Sequence, residues 1–309
     1  MSTKKVDERE FKRSYFALRA WLILCSVLVL AAPITVLIVE GHLPRSISDS
    51  WHEGARMPFV FGLATASVLL LVVVGDTLFE HVMLKAAGIF GLVVASVPCW
   101  PKKPNGDKLC HYPHEVAHEA VVTVGVLLVV GLLGFAAALW LADRLDESGP
   151  GEDWKPEGRA RALLMAVCPT VWLFYAVWFV VARYGLVHTV HFGSAVAMFA
   201  CLALVAVART EGGLDKLEEW LGDTPVDRGS STIDTQHRRA AYNTVYTCIA
   251  WAVPVALGVA FVLAFFWSYW VLAVEFTMLA IFAVFWVTQT LEALGGLERK
   301  KQSSSPPAA

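Results

Sequence analysis

ALRAWLILCSVLVLAAPITVLIV, residues 17–39, is the stretch that decides the fold. Its only charge is Arg19, near one end. An apolar run of roughly 20 residues wound as a helix crosses the ~30 Å hydrocarbon layer of a bilayer. Lipid offers no partner to a backbone amide, so the segment has to satisfy its own hydrogen bonds, as a helix does. The charged stretch MSTKKVDEREFKRSYF precedes it, and no small-residue cleavage site follows. The segment therefore reads as a retained first helix and not as a removed leader.

Working outward, seven further runs have the same character, with ends near Met57–Val74, Val82–Val97, Val116–Leu141, Leu163–Ala182, Val190–Ala208, Val245–Phe266 and Val271–Leu291. The third contains Lys85, whose ammonium is expected to snorkel toward an interface. The expected architecture is all-α, a polytopic transmembrane helix bundle of about eight spans. Residues 1–16 form a cytoplasmic segment, 17–293 the bundle and 294–309 a cytoplasmic disordered tail ending in QSSSPPAA. Pro33, Pro169 and Pro254 fall inside spans and are read as packing kinks.

Composition agrees. Hydrophobic residues make up 57% and charged residues 17%, against about a quarter charged in soluble domains. The short alternating segments of a β-barrel are absent, and a net charge of −2 gives no basic field for nucleic acid. The sequence holds no Walker motif, dinucleotide fingerprint or C-x-x-C pair.

Eight spans partition the 25 lysines and arginines unevenly. Arg45, Arg56, Lys102, Lys103, Lys108 and Arg183 fall on one side and the other 19 on the side of the termini. Positive charge concentrates in cytoplasmic loops, so both termini are expected in the cytoplasm, with the chain in the cell membrane. Trp51, Trp100, Trp267 and Trp270 then lie near the outer interface, where indole rings are favoured.

The same topology puts seven of the nine histidines outside: His42, His52, His111, His114, His118, His188 and His191. His114 and His118 stand four apart and His188 and His191 three apart, so each pair shares a helical face. Imidazoles so placed can hold zinc, with Glu115 or Glu119 assisting the first pair. The loop GHLPRSISDSWHEGARMP supplies Ser46, Ser48, Asp49, Ser50, His52 and Glu53. Such residues before a helix commonly cap it. Glu275 lies a few residues into the last span; it either faces the bundle interior with a partner or reaches interfacial water. Asp76, Glu80 and His81 read as a solvated turn on the inner side. Cys99 and Cys110 share an outer loop, where an oxidising exterior permits a disulfide.

Several of these pieces recur together. LPRSISDSWH followed by FVFGLATASVLLLVVVGD, KAAGIFGLVVASVP, HFGSAVAMFACLAL, and AYNTVYTCIAWAV with VLAVEFTMLAIFAVFWV resemble the bacterial multipass membrane family catalogued as domain of unknown function 998. The matching residues are Ser46, Ser48, His191, Ser194, Ala195, Tyr242, Glu275 and Trp286. The resemblance implies a helical membrane fold and carries no activity. A looser similarity is to seven-span hydrolases that hold zinc with a serine, an aspartate and three histidines.

Three functions fit. The first is an outward-facing sensor, or an accessory factor for a membrane-protein partner. The second is a metal-dependent, membrane-embedded hydrolase acting on a lipid or amide. In it His114, His118, His188 and His191 hold zinc, Ser48 or His52 orients substrate, and Glu275 acts as base. The third is a proton-coupled transporter with Glu275 and the histidines as relay. The starts of spans four, six and eight share one face, so His114, His118, Glu275 and either His188 or His191 are expected to converge there.

Overall fold

The computed structural model describes residues 3–75, 77–97, 114–146, 159–210 and 233–303. Every regular element among them is helical. α1 is Thr3–Glu40, a 3-10 turn covers Ser48–His52, α2 is Arg56–Val72, α3 is Leu78–Ser96 and α4 is His114–Asp146. α5, Arg159–Ala208, breaks at Ala182 (φ −148°, ψ 54°) into two arms. Tyr175 and Ser194 share a 2.8 Å hydrogen bond across this break. On a straight helix, 19 residues would hold them about 28 Å apart, so the chain doubles back. α6 is Ile233–Leu263 and α7 is Trp270–Ser303, and the two arms of α5 bring the helices to eight.

Seven of these helices are long and apolar enough to span a bilayer; the remaining apolar helix, α2, has 17 residues. At 1.5 Å per residue α2 still covers about 26 Å. The surface is apolar over much of its area: Ile38, Val180 and Phe266 are 77%, 83% and 84% exposed. Water would penalise such a surface, whereas hydrocarbon solvates it. The chain is a polytopic membrane protein.

Side-chain contacts fix the direction of each helix. Arg19 on α1 donates to the carbonyl of Gln289 on α7 at 2.8 Å, so α1 begins where α7 ends. Call this the termini end. At the other end, Leu272 N–H, near the start of α7, donates to Arg45 O just past α1, at 3.0 Å. Call this the loop end. Helices alternate between the two.

α2, α3 and α5 pack most closely. A Cβ on Gly88 of α3 would stand 2.7 Å from the Ser67 carbonyl of α2, closer than side chains tolerate. Glycine lets the two backbones approach, a device favoured where lipid gives no hydrophobic drive to helix pairing. The core extends from Leu22, Val29 and Val36 of α1 through Leu63 and Leu70 of α2 and Leu84 of α3 to Phe282, Phe285 and Trp286 of α7.

Pro33, Pro169 and Pro254 all sit inside helices, as expected. Two expectations are corrected. Residues 294–303 continue α7, where a disordered tail was expected from 294 on; LEALGGLERKKQ contains enough leucine, glutamate and lysine to extend the helix despite two glycines. Lys85 does not reach out to water. Its Nζ donates to Leu71 O and Val73 O, carbonyls that α2 leaves open at its C-terminus. Cys99, Cys110 and Asp76 lie outside the described residues.

Candidate functional site

The sequence singles out the loop end, and the geometry there is specific. The 3-10 turn Ser48–His52 sits on the bundle with Ser48, Ser50 and Trp51 buried. Its attachment is Glu275, in the second turn of α7. The Glu275 carboxylate accepts from Ile47 N–H at 2.5 Å and from Ser48 Oγ at 3.2 Å. Ser46 Oγ lies 3.1 Å from Ser48 Oγ and accepts from Asp49 N–H at 3.0 Å. Of the two readings of Glu275, the interior one with a partner holds, and Ser46 acts as a cap.

His191 is buried on the second arm of α5. Its Nδ1 lies 2.5 Å from Val97 O, and a carbonyl only accepts, so Nδ1 carries the proton. One turn further along the same arm, Ser194 meets Tyr175 of the first arm. Asp49 lies within electrostatic reach of both Glu275 and His191, and His52 within reach of His191. His52 is exposed and stacks edge-on against Trp51, ring centroids 5.2 Å apart. Ser46, Ser48, His191 and Glu275 of the resemblance thus occupy this end, whereas Trp286 lies in the core toward the termini end, beside Arg19.

Of the other expected ligands, His118 is the one whose side chain is described. His118 is exposed in the second turn of α4. His114 opens α4 and His188 lies near the start of the second arm, but their side chains lie outside the described ones. Among the described residues, one set of three metal-ligating groups places its atoms within 4.8 Å of one another, and it is Glu40, His42 and Glu53. None of the four expected zinc ligands belongs to it.

Residues 114–118 read His-Glu-Val-Ala-His, which is the H-E-x-x-H order of helical zinc motifs, with Glu115 in the position of the general base. Glu115 directly after the first histidine, and not the spacing of the pair alone, is the signal for it.

Near the rim, Arg56 extends over the Trp51 ring, 3.8 Å from its centroid, and reaches Glu119 of α4 at 2.5 Å. His42 Nε2 lies 3.3 Å from Glu53 Oε1. The hydrogen bond to Glu53 raises the pKa of His42 above the ordinary imidazole value. The Glu53 carboxyl is also raised, because burial outweighs the opposing effect of His42.

The termini end holds a polar cluster that the sequence does not announce. Glu80, 1% exposed, binds Arg209 through two oxygens, at 2.6 and 2.7 Å. Tyr246 donates to Glu292 at 2.7 Å, and Arg19 and Arg209 both lie within electrostatic reach of that tyrosine. Arg19 also contacts Tyr15. The solvated turn expected around Glu80 is corrected: Thr77 caps α3 by accepting from Glu80 N–H, and Glu80 turns inward to a cation 129 residues away. The buried serines Ser26 and Ser67 bond back to carbonyls of their own helices and add no link between the two ends.

No protein-family model matches the chain, and neither a curated protein nor a solved structure does so.

Proposed function

We propose that this is a cell-membrane protein of eight crossings with cytoplasmic termini. α2 supplies the eighth crossing, and the external loop 41–55 is the working element of a sensor or accessory factor. Kinship with the multipass family rests on its short motifs and belongs to the same proposal. The observation that carries the functional reading is the pair of bonds from Glu275 to Ile47 N–H and Ser48 Oγ, spanning 228 and 227 residues. The carboxylate holds the middle of a loop whose start is held by the Leu272 N–H bond to Arg45 O and whose end is held by rim contacts. Ser48 and Glu275 are occupied with one another, which suits a latch better than a nucleophile and its base. The excess of lysine and arginine on the termini side supports the orientation.

The test is Ser50→Cys in intact cells, labelled with a membrane-impermeant maleimide and read by mass spectrometry of the loop peptide. Labelling should occur only from outside, and slowly. Adding Glu275→Ala should speed it roughly tenfold, the factor that about 1.4 kcal/mol supplies. Labelling from the cytoplasm, or a rate indifferent to Glu275, would sink the reading. A fluorophosphonate probe that modifies Ser48 would favour the hydrolase instead.

One observation favours that second reading: His114-Glu115-Val116-Ala117-His118 opens a helix, the context the zinc motif requires. There His114 and His118 would hold zinc, and Glu115 would take the proton from the attacking water. The metal would lower the pKa of that water. Zinc that co-purifies with the chain and is lost in His118→Ala would support it; metal-free protein that binds none would reject it.

A further inference from the structure

We propose that Glu40, His42 and Glu53 form a second, separate cation site at the rim of the loop, suited to Zn²⁺. It does not depend on the Glu275 contact. Two segments of chain converge to make it. Glu40 is the last residue of α1. Gly41 turns the backbone with φ +73°, a region open to glycine at little cost. That turn brings His42 back across the end of the helix, where it meets Glu53, the residue that ends the 3-10 turn.

The donors are oriented. Gly54 N–H donates to Glu40 Oε1 at 2.7 Å and fixes that carboxylate. His42 Nδ1 lies 3.4 Å from Glu40 O, and a ring N–H bonded to a carbonyl is the usual way a ligating histidine is aimed. That leaves Nε2 directed at Glu53 Oε1, 3.3 Å away. A metal ion that displaces the Nε2 proton would sit between that nitrogen and Glu53 Oε1, with Nδ1–H still held by Glu40 O.

An independent observation points the same way. Glu53 Oε2 is shielded from solvent and has no hydrogen-bond partner among the described residues. A carboxylate oxygen that has lost its water and gained no donor is costly, and a cation coordinated by Glu53 would offset that cost. One imidazole with two carboxylates suits zinc better than calcium or magnesium, which prefer all-oxygen sets.

The experiment uses the full chain, purified in detergent, stripped with a chelator and titrated calorimetrically with Zn²⁺ alone. His42→Ala and Glu53→Gln should each weaken one site at least about tenfold. His118→Ala should leave that site unchanged, which separates it from the motif on α4. Mg²⁺ and Ca²⁺ should not compete at equal concentration. On the unmutated chain, Zn²⁺ should protect His42 from diethylpyrocarbonate, read by mass spectrometry. The last readout needs no variant and so survives a misfolded one. The proposal is overturned if no saturable site appears, if both rim variants bind as the wild type does, or if His42 is modified equally with and without the metal.

Discussion

The two ends of this bundle solve the problem of polar groups near a membrane in different ways. At the termini end, charges belong to helices and pair with helices. Glu80 of α3 holds Arg209 of α5, Tyr246 of α6 holds Glu292, and Arg19 of α1 holds the backbone of α7. At the loop end, a helix carboxylate holds a loop backbone, and the remaining pairs lie at the surface. Changing a charge at the first end disturbs helix packing. Changing one at the second end releases a segment and leaves the bundle standing. If part of this molecule responds to something outside it, the loop end is built for that role.

The largest expected effect is at the termini end. Arg209→Ala strands the buried Glu80 carboxylate and should cost about 3–5 kcal/mol. Replacing both with leucine should cost less than removing Arg209 alone, because the uncompensated charge goes too. Reversible unfolding in mixed micelles, run as a double-mutant cycle, measures both. If Arg209→Ala costs no more than an exposed substitution, the termini end is not fastened as described.

Gly88→Ala comes next. Its new methyl would meet the backbone of α2, which cannot rotate aside as a side chain would, so α3 and α2 must separate. A cost of about 1–3 kcal/mol is expected in the same assay. An unchanged midpoint would mean that α2 and α3 do not approach so closely.

Glu275 tests the other side of the comparison. Glu275→Gln keeps an acceptor for Ile47 N–H but gives up the charge-assisted bond, at a cost of about 1 kcal/mol. The effect should be local: hydrogen exchange should rise at Ile47 and its neighbours in the loop, while amides near Glu80 keep their protection. Exchange rising equally at both ends would erase the distinction drawn between them.

The spans were legible because a run of some 20 apolar residues has few physical outcomes. Lysine and arginine counts supply the expectation of an even number of crossings. Glu275 was legible as an anomaly, since a carboxylate inside a span demands a partner, but its partner was not. Ile47 N–H is a backbone amide, identical in sequence terms to any other, and becomes special only when the fold brings α7 beneath it. Lys85 failed in the same way, because its acceptors are the frayed carbonyls of another helix. Glu80 was misread because a turn of Asp, Glu and His looks solvated until Arg209, far along the chain, is placed beside it. His188 and His191 could not be ranked. Three residues apart on one helix, they look alike in sequence; the structure puts His191 in the core against Val97 O, and the His188 side chain lies outside the described ones.

The smallest effect expected is at Arg56, and it sharpens the contrast by its size. Arg56 and Glu119 join the loop end to α4, but their side chains are 42% and 53% exposed. An ion pair so open to solvent is worth about 0–1 kcal/mol and fades with salt. Glu119→Ala should therefore barely move the unfolding midpoint at moderate ionic strength. Arg56→Ala should cost somewhat more, because the guanidinium also lies over Trp51, a contact worth roughly 0.5–1 kcal/mol at an exposed site. That share should persist at high salt and remain when Glu119 is already alanine. If instead Arg56→Ala and Glu119→Ala cost the same, and both effects vanish with salt, the stacking on Trp51 contributes nothing. The rim would then be held to the bundle through Glu275, the Leu272 bond to Arg45 O and buried residues such as Ile47 and Trp51.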